Sequence, residues 1–249
     1  MVKAVLFDIG GTLHTVHRSD ALRDAFARRL IDRLEVYGIR IGASGGELSL
    51  LLQENGEAYK RYSAETEREL PAPRVWNEFY LKQFGIGEEK LAPIAEELSF
   101  LYDYERVCNK RRPNMVETIK ELHGMGLKLG IISNIISTSF VPHMLNEYDI
   151  ARYMSCVVMS SQAVFRKPDR RIFDIALDEL DVAACESAYV GDTVSRDILG
   201  ARNAGMAMAI LIKHPAIDKR ESQSRDSAPQ PDYLIDELDE IPGIVREHK

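Results

Sequence analysis

The chain predicts an α/β fold: a parallel β-sheet core with an inserted α-helical unit. Apolar runs of strand length end repeatedly in small polar or acidic residues. From about residue 113 onward these runs alternate with helical patterns, the rhythm of βαβ units and a parallel sheet. Between about residues 18 and 108 the pattern is helical alone, so a helical unit sits between the first strand and the second.

The first strand is Val2-Lys3-Ala4-Val5-Leu6-Phe7, stopped by Asp8-Ile9-Gly10-Gly11-Thr12-Leu13. Asp8 then lies at the carboxyl end of a buried strand, where open α/β sheets bind their ligands. The glycines remove Cβ atoms, so backbone N–H groups can approach an anion closely. A carboxylate in such a phosphate-sized nest suits a nucleophile, or a ligand to a cation that neutralises the phosphate. The plain alternative is an Asp that caps a loop. His14 and His17 follow closely and read as polar loop surface.

In the helical region Leu22, Phe26, Leu30 and Leu34 recur at every fourth residue, and Leu48, Leu51 and Leu52 open another pattern. Trp76, Phe79, Tyr80 and Phe84 form an aromatic helical face, read as core before any ligand role. Ile94, Leu98, Leu101 and Tyr102 continue the theme. Placed just after the Asp8 loop, these helices would cover the presumed site. The run Lys110-Arg111-Arg112, with Arg106 nearby, falls where they rejoin the core. It reads as a solvated hinge ahead of an attractor for anionic substrate.

Val116, Ile119, Leu122 and Met125 mark a helix ended by Gly126. The next strand, Leu127–Ile132, ends in Ser133-Asn134. Ser155–Met159 leads to Ser160-Ser161, with Cys156 as plain core, and Arg166-Lys167-Pro168-Asp169 follows. Pro168 suits the first turn of the helix carrying Ile172, Ile175, Ala176 and Leu180. Ala188-Tyr189-Val190 ends in Gly191-Asp192-Thr193, with Asp197 five residues beyond Asp192. The segment Ile198 to Ala204, rich in small residues, should pack closely on the sheet before Gly205. Ala207–Ile212 and Tyr233–Ile235 are further strands, and His214 to Asp232 reads as a polar, proline-dotted surface loop.

Composition sets limits on function. With 249 residues, 45% hydrophobic and 29% charged, the chain holds one large α/β domain or a core with a smaller insertion. The net charge of −7 argues against a nucleic-acid or membrane-surface binder. No apolar run approaches a membrane span. Lys3 interrupts the only N-terminal apolar run, so no signal-peptide pattern is expected. The three widely spaced cysteines, Cys108, Cys156 and Cys185, suggest reduced thiols and a cytoplasmic location. Oligomeric state is left open.

Four strand ends thus bring a nucleophilic acid, a hydroxyl, a cation and an acid pair to one sheet edge. At this point the chain resembles the haloacid dehalogenase superfamily, mostly phosphatases with a Rossmann-like core. Asp8 matches the nucleophile of its first motif, with Thr12 in the usual place. Ser133 matches the hydroxyl of the second, Lys167 before Pro168 the cation of the third, and Gly191, Asp192 and Asp197 the acidic fourth. The insertion is placed as in members with an α-helical cap after the first strand. The resemblance implies a core of residues 1–16 and 109–249 and a cap of 17–108. It also implies a small phosphorylated substrate and a Mg²⁺ cofactor held by Asp8, the Gly10 carbonyl and Asp192, with Asp197 acting directly or through water. Asp8 would attack phosphorus, Lys167 would hold Asp8 ionised, and Thr12, Ser133 and Asn134 would donate hydrogen bonds to phosphoryl oxygens.

One departure matters. Phosphatases of the superfamily usually carry a second Asp two residues after the nucleophile as general acid and base, and here that residue is Gly10. General acid–base catalysis contributes about 10²–10⁴-fold. Three readings follow: a weak or specialised Mg²⁺-dependent phosphatase that recruits another group such as His14; a 2-haloacid dehalogenase, whose halide needs no proton; or a non-catalytic binder of phospholigands or partners.

Overall fold

The computed structural model describes residues 1–214 and 229–248. Its strands are β1 (Ala4–Phe7), β2 (His14–His17), β3 (Cys108–Arg111), β4 (Lys128–Ser133), β5 (Cys156–Met159), β6 (Ser187–Gly191), β7 (Met208–Ile212) and β8 (Tyr233–Ile235). Six of them form one sheet in the order β5-β4-β1-β6-β7-β8, every pair parallel. The predicted parallel α/β sheet is therefore observed. The remaining two, β2 and β3, make a separate antiparallel ribbon in which His14 faces Arg111 and His17 faces Cys108. The chain leaves the sheet along one strand of this ribbon and returns along the other.

The residues between the ribbon strands are helical. They form α1 (Asp20–Val36), α2 (Gly45–Thr66), α3 (Ala72–Val75), α4 (Glu88–Leu91) and α5 (Ala95–Glu105). Ser19 caps α1 by accepting from the Leu22 amide, and Ser44 with Glu47 forms a capping box on α2. Phe26, Leu30 and Leu34 of α1 pack on Leu48 and Leu52 of α2 and on Leu98 of α5, in a cluster of their own. The expected aromatic helix is broken instead into α3, a π-turn at Trp76–Tyr80 and a 3₁₀ turn at Lys82–Phe84. Trp76 and Tyr80 point into this core, and Asn55 of α2 donates to the Tyr80 carbonyl at 3.1 Å. The aromatic face is core, as read.

Both sheet faces are covered, which is why β1 is apolar throughout. Val5 and Phe7 pack against α6 (Met115–Gly124) and α7 (Phe140–Glu147). After the short α8 (Ser160–Ala163), the helices α9 (Arg170–Leu180) and α10 (Leu199–Ala204) cover the other face, where Ala4 and Leu6 meet Phe173, Tyr189 and Ala201. The last helix, α11 (Ile241–Glu247), returns to the first face through Ile241 and Val245. Cys156 is buried core, as expected. Pro168 corrects an expectation. It precedes the N-cap, because Asp169 itself starts α9 by accepting from the Arg171 amide at 2.9 Å. Most of the predicted loop from His214 to Asp232 lies outside the described residues. No described helix is long and apolar enough to cross a membrane.

Candidate active site

The sheet order reverses at β1, whose neighbours are β4 and β6, so a crevice opens at the carboxyl ends of these three strands. Phe7 pairs in register with Ile131 and Val190. Asp8, Ser133 and Asp192 consequently leave neighbouring strands at nearly the same level. Lys167 and Asp197 reach the same place from the segments before α9 and α10.

At its centre the Lys167 ammonium donates to Asp8 Oδ1 at 2.8 Å, Asp197 Oδ1 at 2.7 Å and the Tyr189 hydroxyl at 2.8 Å. Burial works against the lysine's charge, but the two carboxylates outweigh it and hold the ammonium above the ordinary lysine range. The same contacts keep Asp197 below the usual carboxylate range against its burial, aided by Arg196. Asp8 is raised by burial and by the negative charge of Asp197, with Lys167 opposing. Asp192 is pushed up to about 7 by burial and by the charges of Asp8 and Asp197. Ligand oxygens of Asp8, Asp192 and Asp197 all lie within 4.8 Å of one another. Buried carboxylates this close, with one lysine between two of them, are short of positive charge. A divalent cation on hard oxygen donors fits that deficit.

The turn after Asp8 is fitted to this cluster. Gly11 has φ +102°, and a Cβ there would fall 1.8 Å from Asp192 Oδ2. Thr12 is wholly buried and donates to Asp8 Oδ2 at 3.2 Å. In this position it orients the Asp8 carboxylate. Arg112 is a second correction. Far from being a solvated hinge, it is buried and donates to the carbonyls of Gly11 at 2.9 Å and Lys213 at 2.8 Å.

A pocket of about 200 Å³ separates this edge from the helical unit, and Asp8, Gly10, His14, Arg18, Asp103, Arg106, Ser133, Asn134 and Lys167 are among its lining. The Ser133 hydroxyl belongs to that lining, as its expected role requires. The Asn134 side chain is engaged by the lysine's own backbone: its carboxamide donates to the Lys167 carbonyl at 2.9 Å and accepts from the Lys167 amide at 2.8 Å, which leaves its backbone as the expected donor to a phosphoryl group. Its side chain thus anchors the lysine. Asp197 accepts from Lys167 and Tyr189 on Oδ1 and from the Thr193 amide on Oδ2. Both its oxygens are engaged by the protein.

His14 is a third correction. It lies in β2 rather than in a loop, is buried, and its Nδ1 sits 3.0 Å from the Tyr148 hydroxyl. Burial pulls its pKa down to about 4, so it is neutral at pH 7. Its Nε2 lies 4.0 Å from where a Cβ on Gly10 would stand. The β-branched pair Thr15-Val16 between the two histidines was the available signal for a strand. Glu69 had no such signal. It accepts from Tyr59, from Ser160 at 2.5 Å and from Arg166, one residue before Lys167.

Comparison with known proteins agrees with this architecture. The family model described as haloacid dehalogenase-like hydrolase matches residues 2–205. The chain is 29% identical over 247 residues to the glyceraldehyde 3-phosphate phosphatase of Methanopyrus kandleri, covering 99% of this chain and 98% of that protein. It is 32% identical over 218 residues to the protein of the same name from Methanothermobacter thermautotrophicus, covering 85% and 86%. Among solved structures, a 2-haloacid dehalogenase from Pseudomonas syringae superposes with a TM-score of 0.69 at 22% identity, covering 100% of both chains. An HAD phosphatase from Thermococcus onnurineus gives 0.60 at 25% identity, covering 98% of both.

Proposed function

The chain belongs to the haloacid dehalogenase-like hydrolases, and from that premise we propose that it is a Mg²⁺-dependent phosphatase of small phosphorylated metabolites, working through an aspartyl-phosphate on Asp8. The observation that carries this reading is the buried group of Asp8, Asp192 and Asp197, whose charge deficit calls for a divalent cation. Halide displacement would use Asp8 but no divalent cation, so it leaves this charge deficit unexplained. The names of the relatives, which also include a phosphoglycolate phosphatase of Vibrio parahaemolyticus, support the same substrate class. The three free cysteines support a cytoplasmic location.

Asp8 and Asp192 would hold the ion together with the Gly10 carbonyl. When bound, it would neutralise charge on the phosphoryl oxygens. Asp8 attacks phosphorus in line, forming a P–O bond as the ester P–O bond breaks. Lys167 favours the ionised form of Asp8 against its burial and faces the same oxygens, and Asp197 and Asn134 hold the lysine in place. Ser133 donates to the phosphoryl group from the pocket wall. Water then attacks the aspartyl-phosphate, releasing phosphate and restoring Asp8.

Gly10 supplies no proton carrier for either step. His14 is the titratable side chain nearest to the gap, its Nε2 4.0 Å from a Cβ at Gly10, and with Nδ1–H donating to Tyr148 that Nε2 would be free to take a proton. A histidine with a pKa of about 4 has the basicity of an ordinary aspartate. The helices between β2 and β3 act as the cap that closes the pocket. A rapid-quench time course with an aryl phosphate and Mg²⁺, native chain against Asp8→Asn, tests the reading. An Asp8-dependent burst supports it. Halide release from a 2-haloacid without added metal, and no phosphate release, would replace it.

A further inference from the structure

The pocket's cations are unevenly committed. Lys167 is engaged by Asp8, Asp197 and Tyr189, and Arg196 donates to Thr193 at 2.8 Å. Arg106, just past the end of α5 on the helical side of the pocket, differs. It makes no hydrogen bond or ion pair with any described residue, and its buried Nε is without an acceptor.

The arginine is nevertheless held in place. Its guanidinium carbon lies 3.9 Å from the centroid of the Tyr102 ring. That ring stacks on Tyr80 at 4.6 Å and is met edge-on by Phe26 and Trp76. A stacked guanidinium keeps its charge and its planar fork of donors, the geometry that matches a carboxylate. Asp103, one turn earlier on α5, is a candidate counter-charge. It forms no ion pair with Arg106 and leaves its buried Oδ2 without a partner. Burial raises Asp103 to about 7 despite the arginine, so it neutralises Arg106 only in part. In a chain of net charge −7, positive charge kept uncommitted in the pocket that also holds Asp8 calls for an anionic ligand.

The phosphoryl group is accounted for at the other end of the pocket, by Ser133, Lys167 and the glycine turn. A pocket of about 200 Å³ suits a compact phosphomonoester. We propose that Arg106 forms a second anion subsite that selects short phosphomonoesters ending in a carboxylate. This rests on the phosphatase reading for the end that reacts, and on Arg106 alone for the end that is recognised.

The test uses the full chain with Mg²⁺ and matched substrate pairs: phosphoglycolate against ethyl phosphate, and 3-phosphoglycerate against glycerol 1-phosphate. The acid of each pair should be favoured in kcat/KM by about 10- to 100-fold, the range of a charge-assisted hydrogen bond. Arg106→Gln should reduce that ratio toward unity, mainly through KM, and Arg106→Lys should restore part of it. Calorimetric binding of phosphonoacetate against ethylphosphonate reads the subsite without turnover. Arg106-dependent preference for phosphonoacetate in a chain that hydrolyses no phosphoester would uphold the subsite and sink the phosphatase reading. Equal handling of the matched pairs by a chain that does hydrolyse them, or a preference that survives Arg106→Gln, would overturn the subsite.

Discussion

Glu69 of the helical unit and Arg166 of the sheet layer form a buried ion pair immediately before Lys167, with side chains 1% and 13% exposed. Backbone bonds reinforce it: the Glu69 amide donates to the Val164 carbonyl at 2.7 Å, and the Arg166 amide to the Glu67 carbonyl at 2.9 Å. The position of Lys167 is therefore tied to the seating of the helices.

Replacing Glu69 by Gln leaves Arg166 buried without its counter-ion, a loss of about 3–5 kcal/mol. Urea denaturation should show the midpoint falling, with kcat reduced as Lys167 loses its anchor. Adding Arg166→Met should recover part of the stability, since an apolar pair removes the unpaired charge. A double variant no more stable than Glu69→Gln alone would show that the pair is not what stabilises this contact.

Gly10→Asp should fold normally, since a Cβ there meets only Val16 Cγ2 at 3.9 Å and His14 Nε2 at 4.0 Å. Steady-state hydrolysis of an alkyl phosphate should rise by about 10²-fold or more, because both proton transfers regain a carboxylate. An unchanged rate would assign that work to His14. His14→Gln would then abolish the slow turnover and leave the burst.

Gly11→Ala should fail where Gly10→Asp succeeds. Its methyl would overlap Asp192 Oδ2, and its φ of +102° is strained for any side chain. The expected cost is about 1–3 kcal/mol in a thermal melt, with weakened Mg²⁺ binding by calorimetry. Gly38→Ala is the control. It also has positive φ, but nothing lies within 4 Å of its Cβ, so Mg²⁺ affinity should not change.

Asp103 gives the stability curve a pH slope. Burial raises its pKa from 3.8 to about 7, so between these values the folded chain binds more protons than the unfolded one. Stability from this group is complete below the lower value, falls as pH rises through the window at up to about 1.4 kcal/mol per unit, and is lost above about 7. Denaturation midpoints of Asp103→Asn should be flatter across the same window. An identical slope in both proteins would remove Asp103 as its source.

The strands and their polar ends were legible because each is local. An apolar run ends, and Asp8, Ser133 or Asp192 follows at once. Gly10 was legible as a gap only through the resemblance, because nothing in a glycine marks a missing acid. What escaped acts across long separations. Arg112 meets Gly11 at 101 residues' distance, and Glu69 meets Arg166 at 97. No periodicity records such pairings, so a basic run near a hinge looked solvated and Glu69 gave no signal at all. Thr12 and Asn134 were found, but their partners were not. Both serve the charged groups Asp8 and Lys167, because those buried groups need fixed neighbours before any substrate arrives.

Arg112 has a mechanical consequence. It follows directly on β3 and is bonded to carbonyls after β1, β7 and β8, through Gly11, Lys213 and Asp236. The root of the ribbon is thereby tied to three points of the core, and any tilting of the helices would pivot beyond it. His14 sits opposite Arg111 near that pivot, while Arg106 rides farther out. A small rotation would leave the histidine almost still and sweep the arginine toward or away from Asp8. Such a rotation would also strain the Glu69–Arg166 contact beside Lys167, so recognition of a ligand's far end and placement of the lysine would change together.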